Sequence, residues 1–127
     1  MREPHQLPIL GDGTQSKSSI HLEDVVNAVL LAEAKTSTPF EVYNVATGDY
    51  ITVTEIAPIA ASVVGLDPDG VRFVYSGGNL GWKGDVPIVR LNTDRIRALG
   101  RRCSRGSAQA LRDSMSALLP DAQANRL

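Results

Sequence analysis

The chain has 127 residues, 43% of them hydrophobic and 21% charged, and a net charge of −1. This composition is ordinary for one soluble globular domain with a core of modest size. It lacks the basic excess that binding a phosphate backbone requires, which argues against nucleic acid as a partner. A single cysteine, Cys103, excludes an intramolecular disulfide, and neither it nor the two histidines, His5 and His21, has the spacing of a metal site. The longest apolar run, "AVLLA", is too short to span a bilayer, and "MREPHQLPIL" carries no continuous apolar stretch of a signal peptide. No internal repeat is visible, and a cytoplasmic location is the default expectation.

In chain order, "LPIL" (7–10) reads as a short apolar strand ending at the turn Gly11-Asp12-Gly13, and "SSIHL" (18–22) as a second extended piece. Leu22, Val25, Val26, Val29 and Leu30 then recur at helical spacing, with Glu23 and Asp24 in the first turn, which predicts a helix over 22–34. His21 stands at its entrance as a structural residue, since no carboxylate or nucleophile is placed to use it chemically. "STP" ends the helix. In "FEVYNVATGDYITV" (40–53), Phe40, Val42 and either Asn44 or Val45 alternate as in a buried strand, closed by Thr47-Gly48-Asp49; Asn44 and Thr47 serve that geometry.

Thr52 and Glu55, three apart ahead of Ile56, Ile59, Ala60 and Val63, form a capping-box signature, with Gly65 as the stop. Pro58 falls beyond the first turn of that helix, where a lost backbone hydrogen bond costs about 3 kcal/mol unless the helix starts later. "VRFVY" (71–75) alternates like a strand. The glycine-rich "SGGNLGWKGD" (76–85) has the length of a binding loop rather than a connection, and "VPIVRL" (86–91) returns to extended structure. Asn92 or Thr93 caps a short helix, "DRIRALG", closed by Gly100. Ala108, Leu111, Met115 and Leu118 form the apolar stripe of a last helix before Pro120, and 121–127 reads as a frayed tail.

Three strings in this order and spacing, "GDGTQSKSSIHLEDVV", "EVYNVATGDYITVTEIA" and "GWKGDVP…LNTDRIRALG", carry a resemblance that no one of them carries alone. From about Leu7 to about Leu119 the chain resembles the C-terminal part of extended short-chain dehydrogenase/reductases, the NAD-dependent nucleotide-sugar epimerase/dehydratase family, and within it the UDP-glucose 4-epimerases. The resemblance implies an α/β fold: the substrate-binding portion, residues 1–120, with one or two strands of an incomplete Rossmann sheet and about four helices. It also implies a place far down a longer chain, and leaves open whether Met1 is a start or an internal residue of a longer reading frame.

NAD is the cofactor of that family, held by a glycine fingerprint that opens the first βαβ unit. No Gly-x-x-Gly-x-x-Gly precedes a helix in this sequence. The family's chemistry uses a tyrosine with a lysine four residues on, the lysine lowering the phenol's pKa so that the phenolate takes the sugar hydroxyl proton. Here Tyr43, Tyr50 and Tyr75 are followed four residues on by Thr47, Thr54 and Asn79. The expectation is a chain inactive by itself, with no catalytic or cofactor-binding residues of its own.

The substrate side is what the resemblance carries over. Lys17, followed by Ser18, stands where relatives have an arginine and an aspartate on the nucleotide diphosphate; lysine keeps the charge and loses the bidentate fork. Asp85 matches the aspartate that accepts hydrogen bonds from the ribose diol. Trp82, followed by Lys83, replaces a second phosphate-contacting arginine, and Pro8 and Leu10 match the segment lining the uracil ring. Each has a plainer reading: Lys17 as a surface lysine, Asp85 as a turn residue, Trp82 as a loop anchor packed on the core. Arg101 stands where relatives put tryptophan, which reads as drift or a lost packing contact. The partners implied are a UDP-sugar and either a second copy of the chain or a separate NAD-binding half. A lone parallel strand would expose apolar faces and unpaired backbone groups.

Overall fold

The computed structural model describes residues 5–85 and 90–126. Strand β1 (Gln6–Ile9) pairs in parallel with β4 (Arg72–Tyr75), Gln6 opposite Arg72 and Ile9 opposite Tyr75. A second, antiparallel pair joins β2 (Ser16–Lys17) to β3 (Ile51–Thr52). Around these lie α1 (Leu22–Lys35), α2 (Val53–Val63), the short α3 (Asp94–Ala98) and α4 (Ser107–Gln123), with a 3-10 turn at Pro68–Gly70. The result is a mixed α/β fold with four helices and a small parallel sheet.

Local chemistry places most of these boundaries. α1 begins at His21, whose Nδ1 accepts a hydrogen bond from the Glu23 N–H at 3.3 Å, in keeping with its structural reading. α2 opens with the full capping box: Thr52 Oγ1 accepts from Glu55 N–H while the Glu55 carboxylate accepts from Thr52 N–H. Its end is a Schellman closure, in which Leu66 N–H reaches Ala61 O and Gly65 N–H reaches Ser62 O. Gly65 sits at φ +81°, a conformation that favours glycine. Pro58 lies inside α2, as the spacing predicted. Asn92 Oδ1 accepts from Asp94 N–H at the start of α3, although Thr93 occupies the formal cap position without a side-chain bond.

Three expectations change. The segment 40–45 is not a strand: among the described residues no strand runs beside it, and side chains take its carbonyls, Thr38 at Phe40 O and Arg95 at Val42 O. β-structure needs a partner ladder, and alternation cannot supply one. The extended piece after the Gly-Asp-Gly turn is Ser16–Lys17 rather than 18–22. α4 continues through Pro120 to Gln123, so its last turn includes the first three residues of the expected tail; its buried face is Ser107 and Ala110, with Leu111 and Met115 half-buried and Ala108 and Leu118 exposed. Of "VPIVRL", residues 86–89 lie outside the described residues.

The core is small: Ile9, Ala28, Ile51, Ala57, Ala61, Val71, Ile96 and Ala110. Alanines at 57 and 61 let α2 approach α4, where Ala110 faces in. A different face is uncovered. Leu22, Val26, Val29 and Leu30 on α1, together with Phe40 at 81% and Val42 at 57% exposure, present a run of large apolar side chains to solvent.

Candidate functional site

The strand β1 delivers the chain to the Gly11-Asp12-Gly13 turn, where Asp12 Oδ1 accepts from both the N–H and the hydroxyl of Thr14. This turn and the glycine-rich loop after β4 are tied together: Gly11 N–H donates to Ser76 Oγ at 2.8 Å and Gly77 N–H to Gly11 O at 3.0 Å. The two segments that the sequence marks as substrate-facing, 65 residues apart, therefore share one end of the parallel pair.

There the structure brings together Lys17 and Asp85. The ammonium of Lys17 forms an ion pair with Asp85 Oδ1, and Asp85 Oδ2 accepts from Gly81 N–H at 3.1 Å. The Asp85 side chain is only 9% exposed whereas that of Lys17 is 40% exposed, so the carboxylate anchors the loop and the cation reaches solvent. A charge-assisted bond of this kind holds more firmly than a neutral one.

The other sequence-marked residues surround this pair unequally. Leu10 is 64% exposed and Pro8 exposed beside it on β1; the Leu10 carbonyl accepts from Gln15 Nε2 at 3.4 Å and lies near Gly81. Trp82 is not packed on the core: it is 66% exposed, its ring lying over Gly84, where a Cβ would come within 2.3 Å of it. Lys83 is exposed. Gln15 was not singled out by any motif, yet its Oε1 is buried with no partner among the described residues. No pattern marks a single glutamine; its neighbour Lys17 was the one available signal.

Arg101, read from the sequence as drift or a lost packing contact, is held inside the fold. It is 7% exposed, and its guanidinium donates to Ala46 O at 2.9 Å and meets Cys103 Sγ at 2.9 Å. Beside it Asp24, 2% exposed, accepts from Ser104 N–H and Oγ. Burial pushes the Asp24 carboxyl up, but the Ser104 bonds and the Arg101 charge outweigh it and hold the group below its ordinary value. Asp49 behaves alike: burial raises it, and the bonds from Thr47 and Ser107 bring it below the ordinary value.

The N-caps of the four described helices are His21, Thr52, Thr93 and Gly106. Among the described residues no three His, Cys, Asp or Glu converge as metal ligands, and no helix is long and apolar enough to cross a membrane.

No family model and no curated protein matches the chain. Solved structures do. A UDP-galactose 4-epimerase matches over 94% of this chain with a TM-score of 0.72 and 30% identity. The UDP-glucose 4-epimerase of Thermotoga maritima, solved with UDP-glucose, matches over 94% with a TM-score of 0.70 and 25% identity. The dTDP-glucose 4,6-dehydratase of Bacillus anthracis, solved with NAD, shares the fold at 18% identity, over 93% of this chain with a TM-score of 0.68. The chain spans 37%, 36% and 36% of those three proteins, respectively. Over that span it has the fold of the extended short-chain dehydrogenase/reductases, in the form common to UDP-glucose 4-epimerases and NAD-dependent sugar dehydratases.

Proposed function

We propose that this chain is the C-terminal, nucleotide-sugar-binding portion of an NAD-dependent epimerase or dehydratase of the UDP-glucose 4-epimerase type, and that it is not catalytic alone. The observation that carries the reading is the Lys17–Asp85 pair, assembled from two loops at the open end of β1 and β4. In this reading Lys17 offers its charge to the nucleotide diphosphate, and Asp85, besides holding Lys17, accepts from the ribose diol. The exposed Leu10 and Pro8 supply the apolar wall for the base, and Trp82 with Lys83 closes the loop side. The sequence carries no glycine fingerprint of the NAD-binding kind, and in this reading hydride transfer belongs to an NAD-binding half supplied by other residues. The part left to this chain is to bind the nucleotide and orient the sugar.

Titration of the chain with UDP-glucose, followed by NMR or calorimetry, tests the reading. Saturable binding is expected, weakened about tenfold or more by Asp85→Ala and by Lys17→Ala, since each removes a charge-assisted contact. Absence of binding at millimolar ligand overturns it. Epimerisation that appears only when a separately produced NAD-binding half is added would identify the missing partner.

A second reading, a non-enzymatic association module, is favoured by a different observation: the exposed apolar residues of α1 and the unpaired segment around Phe40. A dehydratase or reductase of the same fold is the variant of the first reading that the dehydratase likeness supports.

A further inference from the structure

A second concave place lies on other elements, between the turn that follows residue 46 and the loop that leaves α3. It is a cleft of about 440 Å³ lined by Thr47, Arg97, Gly100, Arg101, Arg102 and Cys103. Three arginines, a threonine and a cysteine are among its lining residues, and no Asp or Glu is. Lys35 adds a fourth cation at the rim, its Nζ 3.8 Å from where a Cβ on Gly100 would stand.

Of the three arginine charges in this cleft, one is offset and two are not. Asp24 faces Arg101 and offsets that guanidinium, but its Oδ1 is engaged by Ser104. Arg97, Arg102 and Lys35 form no side-chain hydrogen bond or ion pair among the described residues. Asp94 lines the adjoining cleft that Arg97 also borders, yet it makes no ion pair with it. Like charges gathered without counter-charge repel, and a fold gains nothing from gathering them unless something negative joins them. The second observation is in the wall itself. Arg101 is nine-tenths buried, and while its terminal nitrogens are used, its Nε–H is buried without a partner among the described residues.

We infer that this cleft binds a phosphate dianion, free or carried on a small phosphomonoester. Arg97 and Arg102 supply exposed forks that match tetrahedral oxyanion geometry, and Arg101, held in place by Ala46 O and Cys103, adds a fixed positive charge to the wall. The inference does not depend on the nucleotide-sugar reading, because none of these residues belongs to the Lys17–Asp85 site.

The experiment is a titration of the intact chain with inorganic phosphate at constant ionic strength, with chloride as the balancing salt, watched by NMR at the arginine Nε–Hε groups and the Gly100 amide. Saturable shifts centred on the Arg97 and Arg102 Nε–Hε groups and the Gly100 amide are expected. Arg97→Gln and Arg102→Gln should each weaken binding about tenfold, while Arg72→Gln on β4 leaves it unchanged. Both substituted arginines are exposed, so unchanged melting curves will separate lost binding from lost fold. Methyl phosphate binding at least as well as inorganic phosphate assigns the site to a phosphomonoester, and weaker binding assigns it to the free ion. Linear, unsaturable shifts, shifts confined to the surroundings of Lys17, or an Arg97→Gln variant that binds like the parent overturns the inference.

Discussion

At the scale of single residues, the polar groups that hold the molecule together are those with several partners from distant parts of the chain. Ser107 is fully buried; its hydroxyl meets Asp49 Oδ1, Ser19 N–H and Thr47 Oγ1, so two distant segments converge on one small side chain. Asp24 plays the same part between α1 and the loop before α4. Asp24→Ala strands the Ser104 N–H and leaves the buried Arg101 guanidinium uncompensated, and is expected to cost about 2–4 kcal/mol in denaturant unfolding. The pH dependence follows from sign: Asp24 and Asp49 both lie below their ordinary value when folded, so the unfolded chain binds more protons in acid. Their stabilisation is complete above the ordinary carboxylate value of 3.8 and is lost as pH falls through the lower folded values. The melting temperature should hold between neutrality and that value and drop below it, with a smaller drop in Asp24→Ala. In the sequence Asp24 stands out only as a favourable first-turn acid; its burial depends on Ser104, eighty residues away, which no local pattern encodes.

Elements whose cause is local were legible, and those whose cause is remote were not. The capping box of α2, the Gly65 closure and the span of α1 within one residue all follow from chemistry inside the element. The supposed strand over 40–45 has the right alternation, yet pairing is decided by what lies alongside, and there the carbonyls went to Thr38 and Arg95 side chains instead. The candidate site divides similarly: Lys17 and Asp85 were marked by motif and do meet, whereas the arginine cleft joins Thr47 to residues 97–103, a juxtaposition that no spacing in the sequence signals. Pro58 gives a test at this scale. It cannot donate to Thr54 O in the preceding turn, so Pro58→Ala should raise stability by about 1–3 kcal/mol, less than the full helix-interior penalty because proline also restricts the unfolded chain. Equal or lower stability would show that the ring's packing against its neighbours outweighs the missing bond.

For the molecule as a whole, the balance is between a core of small residues and an uncovered apolar face. Alanines fill much of the interior, while Leu22, Val26, Val29, Leu30 and Phe40 stand in solvent. A patch of such side chains on one helix and its neighbouring segment favours association. Sedimentation velocity at about 100 µM should show self-association that Leu30→Lys combined with Phe40→Lys abolishes. A parent chain that stays monomeric there sinks the association reading without touching the ligand readings. The parallel pairing of β1 with β4 bears on how such a chain is made. Gln6 meets Arg72 across 66 residues, so β1 leaves the ribosome long before its partner exists. At ordinary synthesis rates that interval is roughly 3–13 s. During it, Leu7 and Ile9 sit on an unpaired edge, and nascent chains on neighbouring ribosomes, or a chaperone, can reach that edge before β4 does.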